Sequence, residues 1–344
     1  QKIMISKEID AYIITGADPH QSEITPQRWA VREWISGFTG SAGTVVVTRK
    51  KAGLWTDFRY YIQAEKQLEK SGIALFKQGN PGIPEPAEWI KQELHPGACV
   101  AVTAEELSAE QNKSYTKQFS AVNILFKTSE DLVDKVWINR PGFPVNRVKE
   151  VPEILCGMSR EEKIREVLSI ASNSYNAEYL LLSSLDDIAW ILNLRGSDVP
   201  YNPLFLSYLL LGKEKSVFFC DKEKLPDSIR EKLSKVVETL SYGDIFQSIT
   251  DYIRKGSRVF LSPEKTNMRL YKEVATHAEL VEGRDITTDL KAVKNSVELD
   301  GMRRIHKQDG AAMVGFLRWF EKNAGNTVLN EVSAAEILLE YREK

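Results

Sequence analysis

The stretch WISGFTGSAGTVVVT runs from Trp34 to Thr48 and joins a glycine-rich turn to a run of β-branched residues. Valine and threonine favour strands, so the stretch predicts a turn that leads into a buried strand. The apolar run AYII, Ala11–Ile14, predicts a strand before it, and GLWTD, Gly53–Asp57, predicts one after it. We expect a helix over Pro26–Ile35 between the first strand and the turn.

The same order of elements returns later in the chain. EYLLLSS (Glu178–Ser184) predicts a strand, and SVFFCD (Ser216–Asp221) predicts another. Between them, WILNLRGSDVPYNPLFLSYLLL (Trp190–Leu211) predicts a glycine-containing turn and a strand over Phe205–Leu211. Internal similarity of this kind indicates one supersecondary plan used twice. The sequence therefore predicts an α/β fold with two similar domains.

The two copies differ at a position that matters for function. When they are aligned, Asp57 matches Asp221, whereas Arg59 matches Glu223. An aspartate that ends a strand can cap the following helix, so we interpret Asp57 as part of the shared scaffold. The scaffold does not require an arginine at position 59. Arg59 is then either a surface ion pair or a side chain held out for a binding partner.

A break in composition separates the two copies. The length of 344 residues suits two or three domains. The stretch RPGFPVNRVKEVP, Arg140–Pro152, is rich in proline and is typical of a connection between domains. We predict domains at residues 1–140 and 150–288, followed by a third region at residues 289–344.

The third region predicts two helices. Asn295 and Glu298 form a capping-box pattern before the first, and the second begins near Asn330 or Ser333. Two helices cannot bury a core of their own, so they pack on the preceding domains or belong to a further domain. The first helix carries an apolar stripe made of Met302, Ile305, Ala312, Met313, Phe316, Leu317 and Phe320.

Composition and charge exclude several classes of protein. The net charge is −2, so no basic field would attract nucleic acid or an anionic membrane. No apolar run reaches the ~20 residues of a membrane helix. The three cysteines, Cys99, Cys156 and Cys220, are far apart and form no CxxC pattern. They indicate reduced core thiols in a cytoplasmic protein.

The residues alone predict no complete catalytic or metal site. The four histidines, at positions 20, 95, 277 and 306, make no HExxH or HxH pattern. His306 and Asp309 could offer two metal ligands from one helix, but paired polar residues on a helix are more often surface groups, which is the interpretation we favour. His20 lies beside a turn dipeptide, where a polar turn is favoured over a functional loop. Gly37–Gly43, GFTGSAG, lacks the lysine of a phosphate loop and predicts a close-packed turn.

Five longer motifs resemble a known family. The chain is similar to the three-domain, cytoplasmic type of aminopeptidase P, a Xaa-Pro aminopeptidase related to creatinase and prolidase. The resemblance covers essentially the whole chain. The motifs that carry it are DPHQSE (Asp18–Glu23), ISGFTGSAG (Ile35–Gly43), LWTDFRY (Leu54–Tyr60), LDDIAWILNLRGSDVPYNP (Leu185–Pro203) and AVKNSVELDGMRRIHKQDGAA (Ala292–Ala312).

The resemblance implies a fold and a chemistry. The first two domains would be creatinase N-terminal domains, each a mixed sheet flanked by helices, and the third region would begin a "pita-bread" metallopeptidase domain. In the family that domain binds two divalent metals, usually manganese, through two Asp, one His and two Glu. A metal-bound hydroxide then cleaves the bond between any first residue and a proline.

The same resemblance implies that this chain lacks the reacting groups. The family's metal ligands and catalytic histidines lie beyond the last two helices, so we expect no catalytic residue and no metal ligand here. The chain would be an N-terminal part of the enzyme, inactive alone, and the complete protein a homodimer. One family contact maps onto this sequence, because the arginine that reaches the peptide substrate corresponds to Arg59. Phe58 stands where the family often has glycine, which puts the local backbone in question.

Two functions from different classes fit these observations. The first is the substrate-recognition half of a metal-dependent Xaa-Pro aminopeptidase, acting on peptides with proline in second place. The alternative is a non-enzymatic binding or scaffold protein built from the same two domains, with the last helices as a dimerisation element. Neither nucleic acid nor a membrane is an expected partner of either.

Overall fold

Two six-stranded sheets of identical topology dominate the chain. The computed structural model describes residues 1–325 and 328–344. The first sheet lies in module I, residues 1–150, and the second lies in module II, residues 160–289. Contacts join the two modules into one compact unit. A second unit comprises residues 151–159 and 290–344.

Module I is a mixed sheet with helices between its strands. Its elements are α1 (Lys2–Ser6), β1 (Ala11–Ile14), α2 (Val31–Ser36), β2 (Thr44–Thr48), β3 (Ala52–Thr56), α3 (Tyr61–Gln67), β4 (Ala74–Lys77), α4 (Pro86–Glu93), β5 (Cys99–Thr103), α5 (Ala109–Ser120) and β6 (Leu125–Ser129). The strand order is β4-β3-β2-β1-β5-β6. Strand β2 runs antiparallel to both β1 and β3. The other three pairs, β3–β4, β1–β5 and β5–β6, are parallel.

Module II repeats this plan. The remaining elements are β7 (Lys149–Glu150), α6 (Glu153–Cys156), α7 (Arg160–Tyr175), β8 (Tyr179–Leu182), α8 (Leu185–Ile191), β9 (Leu194–Arg195), β10 (Tyr208–Gly212), β11 (Val217–Phe219), α9 (Asp227–Leu233), β12 (Glu238–Leu240), α10 (Ile245–Ser248), β13 (Arg258–Leu261), α11 (Met268–Ala275), β14 (Glu279–Glu282), α12 (Ile286–Ala292), α13 (Ser296–Asn323) and α14 (Glu331–Glu343). The order β12-β11-β10-β8-β13-β14 carries the same parallel and antiparallel pairs. The predicted fold class and internal repeat are confirmed.

Strand β1 and its counterpart β8 lie in the middle of their sheets because they are apolar on both faces. All four residues of β1 are buried, and so are Leu180, Leu181 and Leu182 of β8. Side chains from the two faces of the first sheet belong to separate hydrophobic cores. Tyr12 and Ile14 pack with Phe38 on one face, and Ala11 and Ile13 pack with Trp55 on the other. The two-residue period of the strand sends alternate side chains to opposite faces.

Two local predictions differ from the structure. The helix expected over Pro26–Ile35 is interrupted at Ala30, which separates a 3-10 turn (Gln27–Trp29) from α2. The interruption accompanies the burial of Trp29 against the hydrophobic cluster of module II. The strand expected over Phe205–Leu211 begins only at Tyr208. The backbone before it is bound differently, since Leu206 N donates to the Asp198 carboxylate at 2.7 Å and not to a strand.

The second unit contains α6, α13 and α14. Asn295 caps α13 through a capping box with Glu298, as predicted, and its Nδ2 donates to Cys156 O at 2.8 Å. This bond links residues 151–159 to helix α13. The predicted third region, residues 289–344, did not include residues 151–159. Helix α14 begins at Glu331, close to the start predicted near Asn330 or Ser333, and Asn330 caps it. Neither α13 nor α14 has a fully buried residue, and the stripe residues Met302, Ile305, Leu317 and Phe320 are exposed.

Candidate functional site

The turn after β3 presents Asp57 and Arg59 at the edge of module I. Strand β3 ends at Thr56, and Asp57 in extended conformation begins a 3-10 turn over Phe58–Tyr60. The Asp57 carboxylate accepts a hydrogen bond from Arg59 N at 3.1 Å. Asp57 therefore ends a strand and caps the turn that follows, which satisfies a backbone N–H that the turn leaves free.

The Arg59 side chain forms a two-point ion pair with the same carboxylate. Its Nε donates to Asp57 Oδ1 at 2.8 Å, and its Nη2 donates to Oδ2 at 2.7 Å. This pairing holds the pKa of Asp57 below its usual range and raises that of Arg59. The guanidinium lies 5.0 Å from the centre of the Tyr60 ring, and 54% of the side chain is exposed.

The ion pair leaves part of the guanidinium available. Arginine has five N–H groups in a rigid plane, and Asp57 takes two of them. Among residues 1–325 and 328–344, no other hydrogen-bond partner contacts the Arg59 side chain. The two interpretations that the sequence left open are therefore compatible: Arg59 forms a surface ion pair, and the pair fixes its free N–H groups at an exposed edge.

The glycine-rich loop, residues 37–43, packs against this turn. Tyr60 Oη and Ser41 Oγ are 2.6 Å apart, and the Tyr60 ring meets the buried Phe38 ring edge-on. A Cβ on Gly40 would lie 2.2 Å from that Phe38 ring. Arg32 donates to the carbonyl oxygens of Gly40 and Gly43. These contacts show a close-packed turn, as predicted for GFTGSAG.

Phe58 occupies an ordinary backbone conformation. The non-glycine residues described with positive φ are Glu8, Gln21, Lys70, Asn123, Asn176, Asn193 and Tyr201, and Phe58 is not among them. Position 58 therefore makes no demand that only glycine could meet. The matching turn of module II is built differently. Asp221 begins a 3-10 turn over Lys222–Lys224, but its carboxylate accepts from Tyr242 N at 3.1 Å and does not cap.

A buried polar cluster at the seam between the modules was not predicted. His20 is almost completely buried, and its Nδ1 donates to Ser183 O at 2.8 Å. Its Nε2, 2.8 Å from the hydroxyl of Tyr242, is then the acceptor. Burial lowers the pKa of His20, opposed by the Asp18 carboxylate, so the neutral ring is favoured. His20 lies in a polar turn, as expected, with its N–H bound to the Asp18 carboxylate, and its ring also joins both modules.

Further contacts close the same seam. Asn267 caps α11 and donates through Nδ2 to Pro19 O at 2.9 Å and to Tyr208 Oη at 3.1 Å. Main-chain bonds run from Met268 N to Leu107 O and from Ala109 N to Thr266 O. Because the partners that lie in different modules are more than 150 residues apart in the chain, no local pattern could reveal these contacts.

The other residues considered from the sequence do not assemble into a metal site. His306 Nδ1 contacts Met302 O on its own helix, and Asp309 is held by Arg342 of α14. Within the described parts of the chain, no group of three His, Cys, Asp or Glu side chains could hold a metal ion. All three cysteines are buried and free of disulfides.

No helix in the part of the chain that the structure describes combines the length and apolar character needed to cross a membrane.

Comparison with known proteins assigns both modules to the same domain family. Residues 1–136 and residues 139–298 each match the creatinase/prolidase N-terminal domain. The chain belongs to the creatinase/prolidase N-terminal domain family. The fold predicted for this family, two mixed sheets flanked by helices, is the one observed.

Curated relatives of the chain are aminopeptidases. It is 35% identical over 360 residues to a probable Xaa-Pro aminopeptidase P of Ajellomyces dermatitidis, an alignment covering 100% of this chain and 58% of the relative. It is 34% identical over 370 residues to aminopeptidase P2 of Arabidopsis thaliana, covering 97% of this chain and 51% of the relative. The chain thus spans a little over half the length of these relatives.

A solved structure matches the whole chain. The X-prolyl aminopeptidase of Caenorhabditis elegans, described as a cytosolic enzyme with a di-nuclear active site, superimposes with a TM-score of 0.91 at 29% identity. The match covers 100% of this chain and 57% of the nematode enzyme. The fold of this chain is therefore shared with the matching part of that enzyme.

Proposed function

We propose that this chain forms the peptide-recognition part of a metal-dependent Xaa-Pro aminopeptidase, which removes the first residue from peptides with proline in second place. The observation that carries the proposal is the exposed, preorganised Arg59 on a turn of module I. Support comes from relatives named as Xaa-Pro aminopeptidases that align with the whole chain.

Arg59 binds the substrate and performs no chemical step. A guanidinium has a fixed charge and a planar fork of donors, which suits a carboxylate or a peptide carbonyl. The Asp57 pair holds this fork in one orientation, so less side-chain freedom is lost when the peptide binds. Arg59 then acts by orienting the peptide.

The metals belong to the complete enzyme. We place the residues that hold two divalent ions, manganese by resemblance, outside these 344 residues, since the relatives are longer and His306 with Asp309 makes no complete ligand set. Those ions would activate a water and polarise the scissile carbonyl. The complete protein would be a cytoplasmic homodimer without nucleic-acid or membrane partners. Light scattering of the complete protein checks the dimer.

The decisive experiment replaces Arg59 with alanine in the protein made from its complete coding sequence. With manganese and a Xaa-Pro tripeptide, we expect kcat/KM to fall roughly 30- to 1000-fold, as for losing a charged binding contact. Melting temperature and bound metal should stay unchanged. Arg254→Ala is the matched control, because Arg254 is another exposed arginine in an ion pair, in this case with Glu178. If Arg59→Ala cleaves the peptide as well as the wild type does, Arg59 is only a surface charge and the proposal is wrong.

A second experiment tests where the reacting groups lie. The 344-residue polypeptide and the complete protein are assayed side by side with manganese. We expect turnover only from the complete protein. Turnover by the 344 residues alone would contradict our location of the metal ligands. No Xaa-Pro cleavage by either preparation would reject the aminopeptidase and favour the scaffold alternative.

A further inference from the structure

Two large apolar side chains flank Arg59 without any cover. Phe58 is 78% exposed and Ile62 is 72% exposed. Neither belongs to a described hydrophobic cluster, and Phe58 makes none of the described aromatic contacts. Single exposed apolar residues are common, but two beside a preorganised cation form a surface with a definite chemistry.

The spacing of the two apolar side chains allows one large side chain of a peptide to contact both. Phe58 begins the 3-10 turn, and Ile62 lies in the first turn of α3. Four residues of such a turn rise by about 7 Å, at ~2.0 Å per residue in a 3-10 helix and ~1.5 Å in an α-helix. An apolar group midway between them lies within about 4 Å of both, the distance of an apolar contact.

We infer that Phe58 and Ile62 select the substrate residue that follows proline, and that the surface favours short peptides with an apolar side chain there and a free terminal carboxylate. The apolar side chain packs on Phe58 and Ile62, and the carboxylate meets the N–H groups of Arg59 that Asp57 leaves free. This inference rests on the proposed function and names the substrate class of the same site.

Charge supports a peptide terminus as the occupant. The partner of this surface meets the N–H groups of Arg59 that the Asp57 carboxylate leaves free. An apolar face of a second protein copy would cover these N–H groups without offering them an acceptor, and burying a polar group without a hydrogen-bond partner is costly. A carboxylate next to an apolar side chain satisfies both parts of the surface.

The test compares three tripeptides with the protein made from its complete coding sequence: Ala-Pro-Leu, Ala-Pro-Ser and Ala-Pro-Leu amide. We expect the wild type to prefer leucine over serine by about 5- to 20-fold in kcat/KM, the range for an apolar contact in a partly open pocket. Phe58→Ser with Ile62→Ser should remove this preference. Arg59→Ala should remove the preference for the free acid over the amide.

Ile138→Ser is the matched control, since Ile138 is 94% exposed elsewhere in module I. It should leave both preferences unchanged. If the double variant keeps the wild-type ratio of kcat/KM for the leucine and serine peptides, the inference is overturned. If that ratio is unchanged and the oligomeric state is altered, the surface is a contact with a second copy.

The peptides and variants distinguish a failure of this inference from a failure of the proposed function. If Arg59→Ala cleaves all three peptides poorly while the double variant keeps its preference, recognition by Arg59 stands and the apolar selection is wrong. If the wild type cleaves none of the peptides, the proposed function fails and this inference fails with it.

Discussion

Replacing His20 with alanine tests whether the seam stabilises the two modules. The change removes the hydrogen bonds to Ser183 O and from the hydroxyl of Tyr242, both of which are buried. A buried polar group left without a partner costs about 1–3 kcal/mol. The Tyr242 hydroxyl keeps its hydrogen bond with Tyr208, so we count one such group, Ser183 O, and expect a loss of about 1–3 kcal/mol from the ~5–15 kcal/mol free energy of unfolding typical of a protein.

The same residue predicts how stability depends on pH. Burial lowers the pKa of His20 in the folded protein, whereas a histidine in the unfolded chain titrates near ~6.5. Below that pH the unfolded chain binds a proton that the folded chain does not. The contribution of His20 is therefore fully present above pH ~6.5 and declines as pH falls, by at most about 1.4 kcal/mol per pH unit, until the lowered pKa is reached.

Urea unfolding followed by tryptophan fluorescence, at a series of pH values between 7.5 and 5, measures both effects. The informative quantity is the wild-type stability minus that of His20→Ala, because the carboxylates common to both proteins cancel. His95→Ala is the matched control, since His95 is exposed and the hydrogen bond described for its ring is to the neighbouring Pro96 O. A difference that stays constant across this pH range would refute the assignment of a neutral, buried His20.

Three further outcomes follow from particular contacts. Asp57→Ala should lower stability by about 1 kcal/mol through the lost cap, whereas Asp57→Asn should retain most of it, as thermal melts can show. Lys224→Met should cost about 3–5 kcal/mol in urea unfolding, because it leaves the buried Asp198 carboxylate without its cation; Lys232→Met, at an exposed ion pair, should cost under ~1 kcal/mol. Amides of Val297–Phe320 should exchange hydrogen faster than those of Val45–Thr48, since α13 buries no residue; equal protection in a monomer contradicts this.

The sequence was sufficient for the repeated sheets because their signals are local. The central strands are apolar on both faces, and the period of their side chains and the following turns lie within a few residues of one another. The caps at Asp57, Asn295 and Asn330 were predictable for the same reason, since a cap contacts residues only two or three positions away.

The seam and the broken helix were not predictable because their causes are distant in sequence. His20 meets Tyr242 across 222 positions. Nothing around Trp29 indicates that its ring packs against module II. Arg59 illustrates the limit at the site: the Asp57 contact follows from spacing, but a role in recognition depends on a molecule that the chain must meet.

The arrangement of the modules has a consequence for synthesis on the ribosome. The first sheet is complete once Ser129 has been made, because all six of its strands precede that residue. Helix α11, which closes the seam, ends at Ala275. Roughly 150 residues separate the two, so at about 5–20 residues per second the nascent first module waits on the order of ten to thirty seconds for its neighbour.

During that interval the surface around Trp29 and His20 faces solvent. An exposed tryptophan on an otherwise folded module is a contact point for other nascent chains and for chaperones. Slowing translation between residues 129 and 275 should therefore lower the soluble yield of the wild type, and replacing Trp29 with a polar residue should remove that sensitivity while weakening the finished seam.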